Sequence, residues 1–302
     1  MKQLIKFLLP LLAIIWTLPV LANGELKPFV LASKQSGDKA SIVKETKAKL
    51  TTAGLEVVGE YSPYSTVTIL AVTNESMKNA AAASEHGAYG AVQRVTVTEH
   101  KGELQIAYTN PVYMSHAYRL AVDLSDVRKS LAAALGDMGE YGPEAGLSAE
   151  KLREYHYKFL MPYLDDPAEL AGFNSHEEAV AEVEKGLAAG NSGTAKVYRI
   201  DMANNKTLFG VALTKGTSND EYIMSEIDFK ELRSTGHLPY EMLVDGNKVY
   251  TLQAEFRIAI NFPDLSMMGA NSFMNIMSSP EAILTALAHA AGVDPDRTED
   301  NY

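Results

Sequence analysis

The pattern of hydrophobic and polar positions divides most of the chain into short helices and strands. Strand-like runs rich in Val, Ile and Tyr occur in pairs, and Asp245-Gly246-Asn247 is a strong turn signal between two of them. Helical stretches carry their apolar residues on one stripe, as at Val127, Leu131 and Leu135, which are spaced by four. Strand pairs combined with such helices predict an α+β fold.

The order of the predicted elements repeats along the chain. Residues 41–135 and 175–291 each give helix, strand, strand, short helix, strand, strand, helix, and Ser175 with Glu178 forms a capping box at the start of the second copy. We therefore predict two related α-β-β-α-β-β-α units, packed as a pseudo-symmetric pair. The domains predicted are a signal peptide (1–22), a first repeat (23–137), a central connecting segment (138–174), and a second repeat with an acidic tail (175–302).

A local match between the two copies supports this interpretation. Ile106-Ala107 stands before Pro111 as Ile258-Ala259 stands before Pro263, and both prolines precede methionine and a helix rich in Ala and Leu. On this match residues 249–263 form one strand, Met114 lies in a short loop, and residues 264–277 form a longer loop, here called the Met loop. Residues 23–37 are expected to be a loose lead-in, and residues 149–159 a helix.

The first residues have the composition of a secretory signal peptide. Lys2 and Lys6 precede an apolar run that is broken by Pro10 and Pro19 and ends at Ala22. We expect cleavage after Ala22, export, and a periplasmic location in a bacterium with two membranes. No stable membrane insertion is expected after cleavage. The alternative is that the segment is kept as an anchor.

Composition and charge exclude several functions. The chain has 0 Cys, which excludes covalent c-type haem, thiolate zinc, iron–sulfur ligation and thiol catalysis. Without Lys2 and Lys6, 25 basic residues (27 − 2) stand against 38 acidic residues. Binding to nucleic acid is therefore not expected, because it needs a basic surface.

One short motif in each copy resembles a known family. They are His237-Leu238-Pro239-Tyr240 at the start of a strand, and Ala71-Val72-Thr73-Asn74 ahead of a short helix. With the element order, they resemble the bacterial domain-of-unknown-function family 302. The family often has cysteine where this chain has Tyr240 and Thr73, so any thiol role is absent. The resemblance implies a half-TATA-box-binding-protein-like fold and a tendency to pair, which leaves a homodimer open. It implies no settled activity.

Methionine follows both prolines, and histidine follows the first. Thioether and imidazole groups suit Cu(I), and His with Met suits haem iron, whereas methionine also fills irregular gaps in a core. The spacing Met114-x-His116 places both side chains on one face of an extended loop. The residues predicted to line a ligand site between the repeats are Met114, His116, Met267, Met268, Phe273, Met274 and Met277.

His156 is a second candidate ligand, because tyrosines flank it and a histidine can bind metal or titrate near neutral pH. The same pattern is also typical of a helix that packs its tyrosines inward. If a metal or haem is bound, the predicted ligands come from His116, His156, Met114, Met267 and Met268.

No catalytic signature is present: the sequence has neither a Gly-x-Ser-x-Gly elbow nor a glycine-rich phosphate loop. The function that we predict is the binding of a small apolar or soft ligand between the repeats of an exported, soluble, non-enzymatic protein. Two alternatives stay open. One is a periplasmic copper or b-type haem protein, and the other is a protein that docks a periplasmic partner without a cofactor.

Overall fold

The protein has an α+β fold built on two antiparallel sheets. The computed structural model describes residues 25–158 and 161–293. The predicted signal peptide and the acidic tail, residues 294–302, lie outside the described residues. No helix within the described residues is both long enough and apolar enough to span a membrane.

The first sheet has the strand order β2-β3-β4-β5-β1-β6. Its strands are β1 (Phe29–Gln35), β2 (Glu56–Tyr61), β3 (Val67–Thr73), β4 (Gln93–His100), β5 (Glu103–Thr109) and β6 (Glu140–Tyr141). The second sheet has the order β7-β11-β10-β9-β8. Its strands are β7 (Ala168–Gly172), β8 (Thr194–Met202), β9 (Lys206–Leu213), β10 (Tyr240–Asp245) and β11 (Lys248–Thr251).

The two sheets share one strand order. If β7 to β11 are matched in chain order to β1 to β5, the second sheet has the order β1-β5-β4-β3-β2. This is the order of the first sheet read from its other edge, without the added edge strand β6. The helices are α1 (Lys39–Thr52), α2 (Glu75–Ala82), α3 (Pro111–Ala117), α4 (Ser125–Leu135), α5 (Ala149–Arg153), α6 (His176–Ala189), α7 (Asp220–Ile227), α8 (Ala254–Asn261) and α9 (Ser279–Ala290).

Each sheet packs one face on its own long helices. Two hydrophobic cores result. In the first core, Val95 of β4 packs with Leu50 of α1 and Leu131 of α4. Met242 of β10 shares the second core with Val183 of α6. Strand alternation puts the next side chains, such as Arg94 and Glu241, on the opposite face.

The opposite faces of the sheets are covered reciprocally. A 3-10 turn at Gly87–Ala91, in the first half of the chain, contacts β9 and β10. A 3-10 turn at Thr235–His237, in the second half, contacts β3, β4 and β5. Strands β2 and β8 also contact each other. Each half therefore supplies part of the cover of the other half's sheet.

The structure corrects the prediction of one strand over residues 249–263. Strand β11 ends at Thr251, and residues Ala254–Asn261 form helix α8. Most of this helix is buried, including Phe256, Ile258 and Ile260. Apolar residues at Leu252, Ala254, Phe256, Ile258 and Ile260 alternate with polar residues as far as Arg257, so the sequence pattern is that of a strand. The match of Ile258-Ala259 to Ile106-Ala107 was therefore wrong, because the latter pair lies in strand β5.

Three further expectations were wrong. The lead-in contains strand β1. The segment with Met114 is helix α3, for which Asn110 is the N-cap and Pro111 the first residue. The helix predicted over residues 149–159 ends at Arg153. In addition, β7 belongs to the second sheet, although it falls inside the predicted connecting segment.

Signals with a specific local geometry were confirmed. Strands β10 and β11 pair as the predicted hairpin, with Asp245 opposite Lys248. Half of the predicted capping box is present: the Ser175 hydroxyl accepts the hydrogen bond of the Glu178 amide at 3.2 Å, while the Glu178 carboxylate accepts from the Asn174 amide at 3.0 Å rather than from Ser175. The helix predicted from the apolar stripe Val127, Leu131 and Leu135 is present as α4.

Candidate functional site

A buried charged cluster joins the two sheets. Glu241 Oε1 accepts hydrogen bonds from Arg94 Nη2 of β4 and, at 2.9 Å, from the Tyr198 hydroxyl of β8. Glu241 Oε2 accepts from Arg257 Nε of α8 at 3.2 Å. All four side chains are buried. Arg94 and Glu241 are each the second residue of their strand, β4 and β10.

The cluster has a net charge of +1. Two guanidinium groups face one carboxylate, and His237 adds no charge because burial, with Arg257 and Arg94 nearby, holds its pKa well below the ordinary value. Arg257 Nη2 also donates to the His237 carbonyl oxygen at 2.6 Å. Breaking a buried ion pair leaves a charge that water cannot solvate, so this cluster constrains how the two sheets meet.

Sequence reasoning did not find this cluster. The signal was a charged residue at the start of a strand, followed by at least three apolar or neutral residues, in each half: Arg94 in β4 and Glu241 in β10. The pairing itself was out of reach, because the two residues are 147 positions apart.

Helix α3 separates the two predicted ligands Met114 and His116. Successive helical residues turn by about 100°, so side chains two positions apart point away from each other. Met114 is buried in the first core, whereas His116 is only partly buried. Burial and the nearby Arg153 lower the pKa of His116. The one-face arrangement expected for an extended loop was therefore wrong.

The Met loop lies on helix α7 of the second half. The amide nitrogens of Asn271 and Asn275 donate to Glu226, to its carbonyl oxygen at 3.1 Å and to its carboxylate at 2.8 Å. The Tyr222 hydroxyl donates to the Asn275 carbonyl oxygen at 2.8 Å. Phe273 packs against the second core.

The methionines of this loop are exposed to different extents. Met267 is partly buried. The exposed fraction is 73% for Met268, 53% for Met274 and 65% for Met277. Phe229 lies two residues after the end of helix α7 and is 52% exposed.

The predicted metal ligands occupy separate surroundings. Met114 belongs to the first core, whereas Phe273 of the Met loop packs on the second. His156 Nε2 lies 2.8 Å from the Met161 carbonyl oxygen, so this nitrogen carries the proton and donates. Its ring stacks on Tyr163 with 4.1 Å between the centroids. Within residues 25–158 and 161–293, no group of three or more His, Asp or Glu side chains is arranged to hold a metal ion.

A small cavity opens beside the start of the Met loop. Its volume is ≈ 20 Å³. The wall comes from Gly142 after β6, from the segment between α7 and the turn at Thr235–His237, and from the end of α8. It includes Asp228 and Asn261, which are buried polar residues.

Comparison of the chain with protein-family models, with curated proteins and with solved structures found no significant match.

Proposed function

We propose that this chain is a non-enzymatic binding protein that docks a basic, amphipathic segment of a partner protein. The docking region is here called the Met surface and consists of Phe229, Met268, Met274 and Met277. The observation that supports it most strongly is that all four side chains are more than half exposed, from 52% to 73%.

Exposed apolar side chains on neighbouring segments are a feature of interaction sites, whereas single ones are common on any surface. Methionine suits such a site because its unbranched, polarizable side chain adapts to differently shaped partners. The backbone below is held in place, since Asn271 and Asn275 are hydrogen-bonded to Glu226 of α7. A fixed backbone with adaptable side chains favours docking.

The charges around the Met surface select a basic partner. Glu221, Glu226, Asp264 and Glu281 lie on the elements that carry or flank it, and Lys230 is paired with Asp264 at 2.5 Å. The chain as a whole has a formal net charge of −11. Complementary charge speeds encounter and rejects partners of like charge.

A designed peptide tests this proposal. A labelled amphipathic helix of Leu and Lys should bind the chain from Asn23 to Tyr302, and fluorescence anisotropy measures the affinity. The triple variant Met268→Gln/Met274→Gln/Met277→Gln should bind at least about tenfold more weakly, because each lost apolar contact contributes roughly 1 kcal/mol. Met138→Gln is the matched control, since Met138 is 62% exposed but lies in the first half.

Two results would contradict the docking proposal. One is equal binding of the peptide by the triple variant and the wild type. The other is equal binding of a peptide in which Glu replaces every Lys. Sedimentation of both proteins then decides whether a second copy of this chain, as in a homodimer, covers the Met surface instead.

The residues predicted for a small-ligand site between the repeats do not line a cavity there. The ≈ 20 Å³ cavity touches both halves of the chain but is lined by none of the seven residues predicted for the site. A wider open depression of ≈ 590 Å³, between Lys215 and Glu281, is also lined by none of them. We therefore propose the cavity beside Asp228 as the place of any small ligand. No observation favours the copper or haem alternative, which stays a prediction.

We also infer that the two halves form a pseudo-symmetric pair that arose by duplication. The shared strand order and the reciprocal cover of the sheets support this inference. The half-TATA-box-binding-protein-like arrangement and the family resemblance belong to the same proposal. A crystal structure tests it, because superposing β1–β5 on β7–β11 must require a rotation near 180°.

Export to a periplasm is part of the proposed function. Its support is the sequence of residues 1–22, with two lysines before an apolar run. The intact mass of the protein isolated from its native cells tests it. A chain that begins at Asn23 is expected, and a chain that keeps residues 1–22 would overturn the cleavage site.

A further inference from the structure

Strand β7 is an edge strand whose counterpart in the first sheet is covered. In the first sheet, β6 pairs with the outer edge of β1, with Phe29 opposite Tyr141. The segment before β6 extends this cover, because the Leu31 amide donates to the Gly139 carbonyl oxygen at 3.0 Å and the Leu31 carbonyl oxygen accepts from the Met138 amide at 2.7 Å. In the second sheet, β7 holds the position of β1, and no strand of the described residues pairs with its outer edge.

The pairing of β7 with β11 shows that the backbone of Gly172 faces outward. Phe173, directly after β7, donates its amide hydrogen bond to the Asn247 carbonyl oxygen at 2.9 Å. The N–H and C=O of one strand residue point to the same side, and those of the next residue point to the opposite side. The N–H and C=O of Gly172 therefore point away from β11.

Glu169 is the second outward residue. The two-residue turn between Asp245 and Lys248 closes on a hydrogen-bonded pair, so the backbone groups of Lys248, and two residues later those of Tyr250, face β10. Tyr250 is the partner of Glu169, and the backbone groups of Glu169 must therefore also point away from β11. A β-bulge between the two positions explains why the outward residues are three apart.

Both outward residues are accessible. Glu169 and Gly172 are exposed, and a Cβ at Gly172 would meet no atom within 4 Å. In the part of the chain that the structure describes, no backbone group outside the ladder with β11 pairs with either residue. An unpaired edge of this kind is a template for another strand, because its N–H and C=O groups offer main-chain hydrogen bonds to an extended peptide.

The charges around β7 favour a basic segment. Residues 161–184 contain seven acidic residues and neither Lys nor Arg. Lys248 Nζ neutralises Glu169 at 2.8 Å. Asp166 before the strand and Glu177 after it are exposed, and neither forms an ion pair within residues 25–158 and 161–293. These two carboxylates flank the edge, and they attract a segment that carries lysine or arginine.

We propose that β7 is a strand-addition site, at which an extended, basic segment of a partner protein pairs with the outer edge as β6 pairs with β1. The segment forms main-chain hydrogen bonds with Glu169 and Gly172, and its basic side chains lie near Asp166 and Glu177. The site is on a different element from the Met surface and takes an extended rather than a helical segment. It does not depend on the docking proposal.

A short labelled peptide of alternating valine and lysine tests the proposal. It should bind the chain from Asn23 to Tyr302, as measured by fluorescence anisotropy, and should slow the amide hydrogen exchange of Gly172. The same peptide methylated at two neighbouring central nitrogens, which cannot pair there in either register, should bind at least about fivefold more weakly, the loss expected for one or two main-chain hydrogen bonds. Equal binding of both peptides, or unchanged exchange of Gly172, would overturn the proposal.

The basic character of the segment is tested separately. A peptide in which glutamate replaces every lysine should bind at least about fivefold more weakly at low salt, because it meets carboxylates at both ends of the edge. Equal binding of the lysine and glutamate peptides would contradict the choice of a basic partner.

Variants at Gly172 assign the site. Gly172→Pro removes the outward N–H and places the proline ring on the open edge, so the valine–lysine peptide should bind at least about fivefold more weakly. Gly172→Ala is the matched control, because it keeps the N–H and its Cβ has open space around it. If Gly172→Pro fails to fold by circular dichroism, the methylated peptide decides instead. Unchanged binding in a folded Gly172→Pro variant overturns the proposal.

Two measurements separate the strand-addition site from other occupants and from the Met surface. The triple methionine variant should bind the valine–lysine peptide like the wild type, and loss of binding there would overturn the assignment to β7. Gly172→Pro should in turn bind the Leu and Lys helix like the wild type. Sedimentation should give one mass for the wild type and Gly172→Pro. A dimer found only in the wild type would show that a second copy of this chain pairs through β7, which would overturn the choice of a partner protein.

Discussion

At the scale of single residues, Glu241 of β10 binds groups from three other elements. Its carboxylate accepts from Arg94, Tyr198 and Arg257, which lie on β4, β8 and α8. Loss of the single carboxylate has a different effect on the charge balance from loss of one of the two guanidinium groups. Removing it leaves two buried cations facing each other, whereas removing one arginine leaves a balanced pair.

This asymmetry predicts the stability of two variants. Glu241→Gln is expected to lower the free energy of unfolding by about 3–5 kcal/mol, because it leaves both arginines buried without a counter-charge. Arg94→Met is expected to cost less, since Glu241 keeps Arg257. Urea denaturation measures both values. Glu231→Gln, at an exposed ion pair with Lys101, serves as the control and should change stability by less than about 1 kcal/mol. A larger loss for Arg94→Met than for Glu241→Gln would contradict this account.

At the scale of elements, the sequence predicted those that carry a local signal. The capping residue Ser175 and the turn Asp245-Gly246-Asn247 fix a geometry within a few residues, and both were found where expected. Helix α8 was missed because its apolar residues Phe256, Ile258 and Ile260 fall at every second position, which is the period of a strand, and because its polar residues Arg257 and Asn261 are buried as well. Helix α3 was also missed, although Asn110 followed by Pro111 is a recognisable N-cap with proline at the first position.

The candidate site was predictable only in part. The concentration of methionine in residues 264–277 is visible in the sequence, but the exposure of Met268 and Met277 depends on how the loop lies on α7. The buried polar residues of the cavity wall, Asp228 and Asn261, come from separate segments that only the tertiary fold brings together. Contacts of this kind leave no pattern in the spacing of residues.

The crossing of helices α6 and α9 depends on one glycine. A Cβ at Gly186 would lie 2.0 Å from the Ala290 carbonyl oxygen. Alanine in the middle of a helix normally stabilises it relative to glycine, by up to about 1 kcal/mol. Here Gly186→Ala is expected to reduce stability instead, by roughly 1–3 kcal/mol, because the helices must separate.

Thermal unfolding followed by circular dichroism measures this change. The control is Gly172→Ala, since a Cβ at Gly172 would meet no atom within 4 Å. A melting temperature for Gly186→Ala at or above that of the wild type would show that the helices adjust without cost.

At the scale of the whole molecule, the contact between the halves contains a buried acid. The Tyr61 hydroxyl of β2 donates to Asp220 Oδ2 of α7 at 2.7 Å, and the Leu213 amide donates to the same oxygen at 2.9 Å. Burial outweighs both bonds and raises the pKa of Asp220 from 3.8 to about 7. Between these values the folded protein holds a proton that the unfolded chain releases.

The contribution of Asp220 to stability must therefore fall as the pH rises from about 4 to about 7, and must be constant above that range. Asp220→Asn keeps the acceptor oxygen and cannot ionise. We expect this variant to be more stable than the wild type at pH 8, by up to about 4 kcal/mol, and to lose that advantage at pH 4. Urea denaturation at both pH values measures the difference, and a difference independent of pH would refute the raised pKa.

The reciprocal cover of the sheets also constrains how the chain can be made. The first sheet can form once β6 has been synthesised, but the turn at Thr235–His237 that contacts β3, β4 and β5 follows only 94 residues later (235 − 141). During that interval the nascent chain presents an incomplete surface, including the buried guanidinium of Arg94, to whatever surrounds it. Completion of the fold is thus deferred until nearly the whole polypeptide is available, and a chain released early would be a substrate for chaperones and proteases.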